Sequence, residues 1–318
     1  MTVRWGVLGA GWIVQTATGS AIHAAPNATL SAVASRDVSR AQKVQPQRTH
    51  ESYQDLIDDE AIDAVYIALT NDQHEPWITK AIDAGKHVLC EKPLTLSAQT
   101  SAAAFAEAER AGVLLIEAAW SMWHPRTQRI VELVSSGALG DVEAFLGSFT
   151  FDSVPDGNYR LDPSFGGGAL LDVGVYPLHA LVACGLASCV ADAEVEHTMG
   201  GLGVDMTTRA SLPLVSGGTA RIVASFAMPE SQRLLVRGSR THLSVPDDDA
   251  FTSWQEPSRL RVGDGWESFP AVDAYCVMFE AVSRRVNEES AWVLPTTQSV
   301  RVAELVDSLT PQIGRAHV

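Results

Sequence analysis

The chain has 318 residues, 46% of them hydrophobic, with a formal net charge of −15 and a pI of about 4.9. That length suffices for two packed cores at roughly 150 residues per domain, and acids scattered along the whole chain exclude nucleic acid as a partner. No run approaches the ~18 uninterrupted apolar residues of a membrane span; with no signal-like charged, apolar and cleavage regions before the first strand, the expected place is the cytoplasm, with no membrane partner.

Val3-Arg4-Trp5-Gly6-Val7-Leu8 is a short apolar strand ending in Gly9-Ala10-Gly11, and residues 12–25 read as a helix stopped by Pro26. A second strand covers 29–35, with Asp37 placed to cap the short helix after it. A buried strand at 63–69, a helix at 73–84 closed by Gly85 and a strand at 87–90 continue the alternation. An Ala-rich helix at 97–111, ended by Gly112, leads to a further strand at 113–116. Strands alternating with helices at these lengths predict an α/β Rossmann domain with a doubly wound parallel sheet, over residues 1–119. From residue 120 to 318 the texture is α+β. Strand-like runs at 142–151, 219–227 and 234–237 surround a helix at 169–186, and helices at 272–287 and 298–309 follow. No Pro/Gly-rich linker separates the two halves, so close packing around a cleft is expected. Cys90, Cys184, Cys189 and Cys276 show neither a C-x-x-C pair nor zinc spacing, which predicts a reducing compartment and no metal. The last residues, 314–318, have no periodicity and are left aside.

Glycines where the first strand meets the first helix let backbone approach a pyrophosphate at the positive helix end. Gly9 and Gly11 meet that need, with Trp12 and Ile13 opening the helix, although Val14 replaces the third glycine of the fingerprint. The second strand ends in Ser35-Arg36-Asp37. A hydroxyl and a guanidinium there suit a ribose 2′-phosphate and favour NADP(H); Asp37 turned to a free 2′-hydroxyl would serve NAD instead. Lys92, in Cys90-Glu91-Lys92-Pro93, stands at the carboxyl end of a parallel strand, where such sheets bind ligands.

The stretch from Thr70 to Pro93, with its Glu91-Lys92-Pro93 triplet, resembles the Gfo/Idh/MocA family of oxidoreductases. So do Asn158-Tyr159-Arg160-Leu161-Asp162-Pro163 and the run from Gly166 to Pro177, and the resemblance extends over the chain to about residue 310. It implies a second domain built on a large, open, mostly antiparallel sheet, which binds substrate and often makes a homodimer or homotetramer. It also implies that Thr70, Asn71, His74 and Glu91 line the cofactor and that Lys92 lies near nicotinamide and substrate. Asp172 matches the family's acidic active-site residue. Tyr176 stands where many members have histidine, which is similar to the glucose-fructose oxidoreductase and dihydrodiol dehydrogenase branches. Met122, in the run from Glu117 to Pro125, replaces a usual arginine.

Oxidising a secondary alcohol or hemiacetal needs a base for the hydroxyl proton while hydride leaves for nicotinamide, and a phenol of pKa ~10 needs a cation to serve near neutrality. Tyr176 as acid/base, Lys92 as its electrostatic partner and Asp172 as an orienting acceptor meet this requirement; Lys92 as the acid/base itself is the alternative. Local pairing of Asp172 with an arginine and a packing role for Tyr176 are the bland readings. Trp120 and Trp123 suit the C–H face of a sugar or an aromatic diol, or simply the core. Arg160 and His179 complete the substrate-side candidates, with core burial the alternative for His179. The expected activity is NADP(H)-dependent oxidoreduction of a neutral sugar, polyol or vicinal diol. A glycosidase that recycles bound NAD and a dinucleotide-sensing regulator are the competing classes.

Overall fold

The structure, a computed structural model, describes residues 1–188, 193–246, 248–252 and 255–311. Cys189 and the tail at 314–318 lie outside the described residues. The chain divides into two compact units, Met1–His124 with Ala271–Val300, and Pro125–Pro270 with Arg301–Val318.

In the first unit, β1 (Val3–Leu8) is fully flanked, by β2 (Ala28–Ala34) on one side and β4 (Ala64–Ile67) on the other. With β3 (Arg48–His50), β5 (His87–Glu91) and β6 (Leu115–Ala118) the parallel sheet runs β3-β2-β1-β4-β5-β6. This is the doubly wound order in which ligands bind beyond the carboxyl ends, at the switch between β1 and β4. The helix after β1 opens with a wide π turn at Val14–Thr18 before α1 (Gly19–Ala24), and α2 (Val38–Gln42) and α3 (Tyr53–Ile57) follow. α4 (Asn71–Asp83) leads into β5, and α5 (Ala98–Ala111) runs from its Ser97 cap to Gly112 at φ 71°. Only a residue without a Cβ takes that left-handed conformation at little cost.

The second unit opens with α6 (Pro125–Ser135), and its central strand is β7 (Val142–Thr150). Another π turn, Leu170–Gly174, leads into α7 (Val175–Ala183). Then come β8 (Glu194–Met199), β9 (Asp205–Pro213), β10 (Thr219–Ser225), β11 (Ser231–Gly238), β12 (His242–Val245), β13 (Ser258–Val262) and β14 (Gly265–Phe269). The eight strands form one open sheet, β14-β13-β12-β11-β7-β10-β9-β8, antiparallel except where β10 runs beside β7. Period-two burial along β10 and β11 turns Ile222, Ala224, Leu234 and Val236 toward the helices. The opposite face carries Arg209, Arg221, Arg233 and Arg237. α7 lies close on the sheet because Gly147 leaves room for Pro177; a Cβ there would meet the proline ring at 2.5 Å. The stretch Pro163–Ala183 is long and apolar enough to cross a membrane, but its most apolar 18-residue window is 67% buried, as a core helix is.

The chain returns to the first unit with α8 (Ala274–Val286), and α9 (Thr296–Leu309) brings it back from Arg301 onward to the second. The units therefore differ from a contiguous division near residue 120. The physical reason is apolar: Phe279 of α8 makes edge contacts at 5.2 Å with both Trp5 and Tyr66, and Trp5 Nε1 donates to Ser283 Oγ at 3.0 Å. Burying those rings draws a helix more than 200 residues away in sequence onto the parallel sheet.

Candidate functional site

Gly9 leaves β1 at φ +98°, and a Cβ on it would meet the Ala68 carbonyl oxygen at 2.5 Å, so the turn needs glycine twice over. A Cβ on Gly11 would meet nothing within 4 Å. Open space in front of backbone at the start of a helix is the cradle that a pyrophosphate fills. Ile13 follows, half-buried, while Trp12 is 70% exposed. At the end of β2, Ser35 is buried and its Oγ accepts from Asp37 N at 3.1 Å, and Arg36 is exposed. Asp37 Oδ1 accepts from Ser39 N and Ser39 Oγ, and its other oxygen is 3.3 Å from Arg40. The Ser39 hydroxyl above all holds this carboxyl below the usual range. Of the two readings of Asp37, the structure thus shows the helix cap, flanked by Arg36 and Arg40. Thr70 precedes α4 and Asn71 is its buried first residue.

Lys92 is half-buried just beyond β5, and its backbone neighbours are each tied by a buried side chain. Tyr66 on β4 donates to Glu91 Oε1 at 2.5 Å; His74 on α4 reaches the Pro93 carbonyl through Nδ1 at 2.8 Å; Glu117 on β6 accepts from Leu94 N at 3.1 Å. The Lys92–Pro93 peptide is cis. His74 Nε2 also faces the Leu69 carbonyl at 3.2 Å, but burial outweighs both carbonyls and Lys92 adds to it, so the imidazole sits below its usual range and stays neutral near pH 7. A neutral ring donates to one carbonyl only. His74, expected to line the cofactor, thus ties the loop after β4 to the loop that carries the lysine. Trp120 and Trp123 lie in a single 3₁₀ turn, 3% and 4% exposed. Trp120 stacks on Tyr275 at 4.8 Å and Trp123 meets Trp292 edge-on at 5.2 Å, so both serve the core of the first unit.

In the second unit Asp172 is in the π turn and Tyr176 is in the first turn of α7. Arg160 Nε donates to Asp172 Oδ2 at 2.7 Å, the local pairing considered above. Burial works against the guanidinium charge, but Asp172, Tyr159 and Tyr176 outweigh it and hold the proton more tightly than usual. Arg160 therefore lies within electrostatic reach of both candidates on the helix. The glycine run makes this approach feasible: Gly168 N donates to Arg160 O and Gly167 N to Asp162 O, and a Cβ on Gly167 would meet the Arg160 carbonyl at 2.5 Å. Tyr176 packs against Phe149 at 5.3 Å and Phe251 at 5.9 Å. Pro177 falls in the first turn of α7, where a missing N–H is tolerated best. His179 is 1% exposed. Among the described residues no three His, Cys, Asp or Glu gather as a metal site.

Three residues escaped the reading of the sequence. Tyr66 and Glu117 each look like ordinary strand positions, and only the sheet order brings them beside residues 91–94. Asp205 accepts from Leu170 N at 2.9 Å and Thr208 Oγ1 at 2.6 Å, capping the helix that carries Asp172 and Tyr176 from a strand 35 residues on. Burial raises its pKa against those bonds.

A sequence profile described as an oxidoreductase family with an NAD-binding Rossmann fold matches residues 3–119, and the C-terminal domain profile of the Gfo/Idh/MocA family matches residues 127–244. This chain belongs to the Gfo/Idh/MocA oxidoreductase family. It is similar to a D-xylose 1-dehydrogenase (NADP(+)) of Haloferax volcanii, 35% identical over 96% of each chain. It also resembles the trans-1,2-dihydrobenzene-1,2-diol dehydrogenase of Mus musculus, 28% identical over 99% of this chain and 98% of the other. A crystal structure of a 3-ketoreductase from Actinomadura kijaniata in complex with NADP and TDP-benzene superimposes with a TM-score of 0.86 at 30% identity, covering 97% of each chain. As a Gfo/Idh/MocA member the protein is an NAD(P)-dependent oxidoreductase, and the open Gly9–Ile13 cradle fits that cofactor.

Proposed function

We propose that this enzyme transfers hydride between NADP(H) and a CH–OH group of a neutral sugar, polyol or vicinal diol. The end of β2 carries the cofactor choice: Asp37 is committed to the α2 cap and to Arg40, and the exposed Arg36 beside it offers a cation to a 2′-phosphate. The D-xylose dehydrogenase and the ketoreductase, both named with NADP, support it, and the diol dehydrogenase supports the breadth of the substrate class. Structures of the ketoreductase include variants in which a tyrosine is replaced by phenylalanine and a lysine by alanine or glutamate. The same two residue types are the candidates here. Nothing observed favours the recycling glycosidase or the sensor.

The bound dinucleotide supplies the hydride acceptor or donor. In the oxidising direction Tyr176 takes the proton of the reacting hydroxyl, and the Arg160 guanidinium offers a counter-charge to the phenol oxygen. Asp172 holds that guanidinium. Lys92 donates a charge-assisted hydrogen bond to the reacting oxygen, which gains negative charge as hydride leaves. Ser35 and Arg36 hold the 2′-phosphate, and the backbone from Gly9 to Ile13, with Thr70 and Asn71, lines the rest of the cofactor.

The test is nicotinamide absorbance on mixing the protein with NADP+ or NAD+ and a panel of aldoses, polyols and dihydrodiols. Turnover of at least one sugar or diol, faster with NADP+, is expected; silence across the panel sinks the reading. Arg36→Ala lowers kcat/KM for NADP+ by about 10–100-fold, the worth of a charge-assisted contact to phosphate. For NAD+ it changes the value by less than about twofold, since NAD+ has no 2′-phosphate to lose. Equal losses with both cofactors would remove Arg36 from the 2′ site.

A further inference from the structure

Tyr66 is fully buried on β4, and its ring is held by Phe279. Phenylalanine would fill the same volume, so packing alone does not call for the hydroxyl. That hydroxyl makes a 2.5 Å bond to Glu91 Oε1, at the short end for a bond to a carboxylate. A phenol has one proton to give, and here it goes to the carboxylate, so the bond ties Glu91 at the end of β5 to the neighbouring strand just before Lys92.

We propose that Tyr66 is a positioning residue for Lys92. The phenol fixes Glu91 and disperses its charge one residue before the lysine. This rests on Lys92 acting at the reacting oxygen, as proposed above. Burial first, and Glu91 next, keep the phenol protonated and so a permanent donor. Glu91 and Cys90 are the ionisable groups that act on Tyr66, and Lys92 acts on His74, which also feels Glu117.

The experiment uses the full chain with saturating NADP+ and the best substrate of the panel. Tyr66→Phe should lower kcat about tenfold, a fraction of what a positioned proton-handling group contributes, with substrate KM and NADP+ Kd within about twofold. Without the phenol, Glu91 holds the lysine proton more tightly, so the Lys92-dependent limb of the kcat–pH profile moves to higher pH. In single turnovers of Lys92→Met, adding Tyr66→Phe should cost nothing further, because both act through one group. A Tyr66→Phe enzyme with kcat and pH profile unchanged overturns the proposal. So does a tenfold loss that persists in the Lys92→Met background, which marks a merely structural role. Undiminished turnover in Lys92→Met alone overturns the assignment of Lys92, and is read without the Tyr66 variant.

Discussion

Replacing Lys92 by methionine is expected to lower kcat/KM by about 10³-fold, within the range lost with a positioned proton-handling or charge-donating group. The loss should appear mainly in kcat, because the ammonium acts most strongly on the charge that develops as the carbon–hydrogen bond breaks. Methionine keeps the apolar stem, and the anchors on either side of it do not involve the side chain: Tyr66 holds Glu91, His74 holds Pro93 and Glu117 holds Leu94. Thermal unfolding should therefore stay close to that of the parent, so lost activity is read as lost chemistry. Initial rates against substrate concentration, with the melting curve alongside, decide the matter. Turnover undiminished in this variant rejects the role given to Lys92.

Arg160→Met is expected to be the most disruptive single change in the second unit. It leaves the Asp172 carboxylate, only 8% exposed, without the guanidinium 2.7 Å away. Breaking a buried ion pair on one side costs about 3–5 kcal/mol, and because the Arg160 side chain is 30% exposed the expected loss is about 2–3 kcal/mol. Asp172→Asn in the same chain should recover much of it, since the buried charge that lost its guanidinium is then gone. Denaturant unfolding of the two single variants and the double variant measures the coupling. The activity pattern separates the two readings of Arg160. Loss of a residue that holds Asp172 and faces Tyr176 lowers kcat, whereas loss of a plain substrate contact raises KM with kcat and stability little changed.

The parallel sheet was legible because its signals are local. Apolar runs of strand length, Gly9 at a forced turn, Asp37 and Ser97 at helix starts and Gly112 at a helix end each state their conformation within a few residues. The open sheet was legible only in part. The sequence shows strands at 142–151, 219–227 and 234–237, but β8, β9, β12, β13 and β14 alternate too weakly around their polar outward positions to stand out. The candidate site divides in the same way. Lys92 is marked by its place at a strand end, and Asp172 and Tyr176 by their glycine-led helix. Trp120 and Trp123 invite a substrate role by composition, yet Tyr275 and Trp292, from a segment some 150 residues on, take them into the core.

By itself, then, the sequence determined a dinucleotide-binding unit, a second unit of different texture and the family, and it named a short set of candidate residues for chemistry. It could do so because turns, caps and hydrophobic periods are properties of neighbours in the chain. Only the tertiary structure decided that Asp172 belongs to Arg160, that Asp205 caps the helix start, and that Tyr66, His74 and Glu117 hold the residues around Lys92. Each of the last three comes from a different strand or helix. A hydrogen bond between groups 19 to 25 residues apart leaves no periodicity behind; it exists because a parallel sheet lays β4, β5 and β6 side by side with their carboxyl ends together.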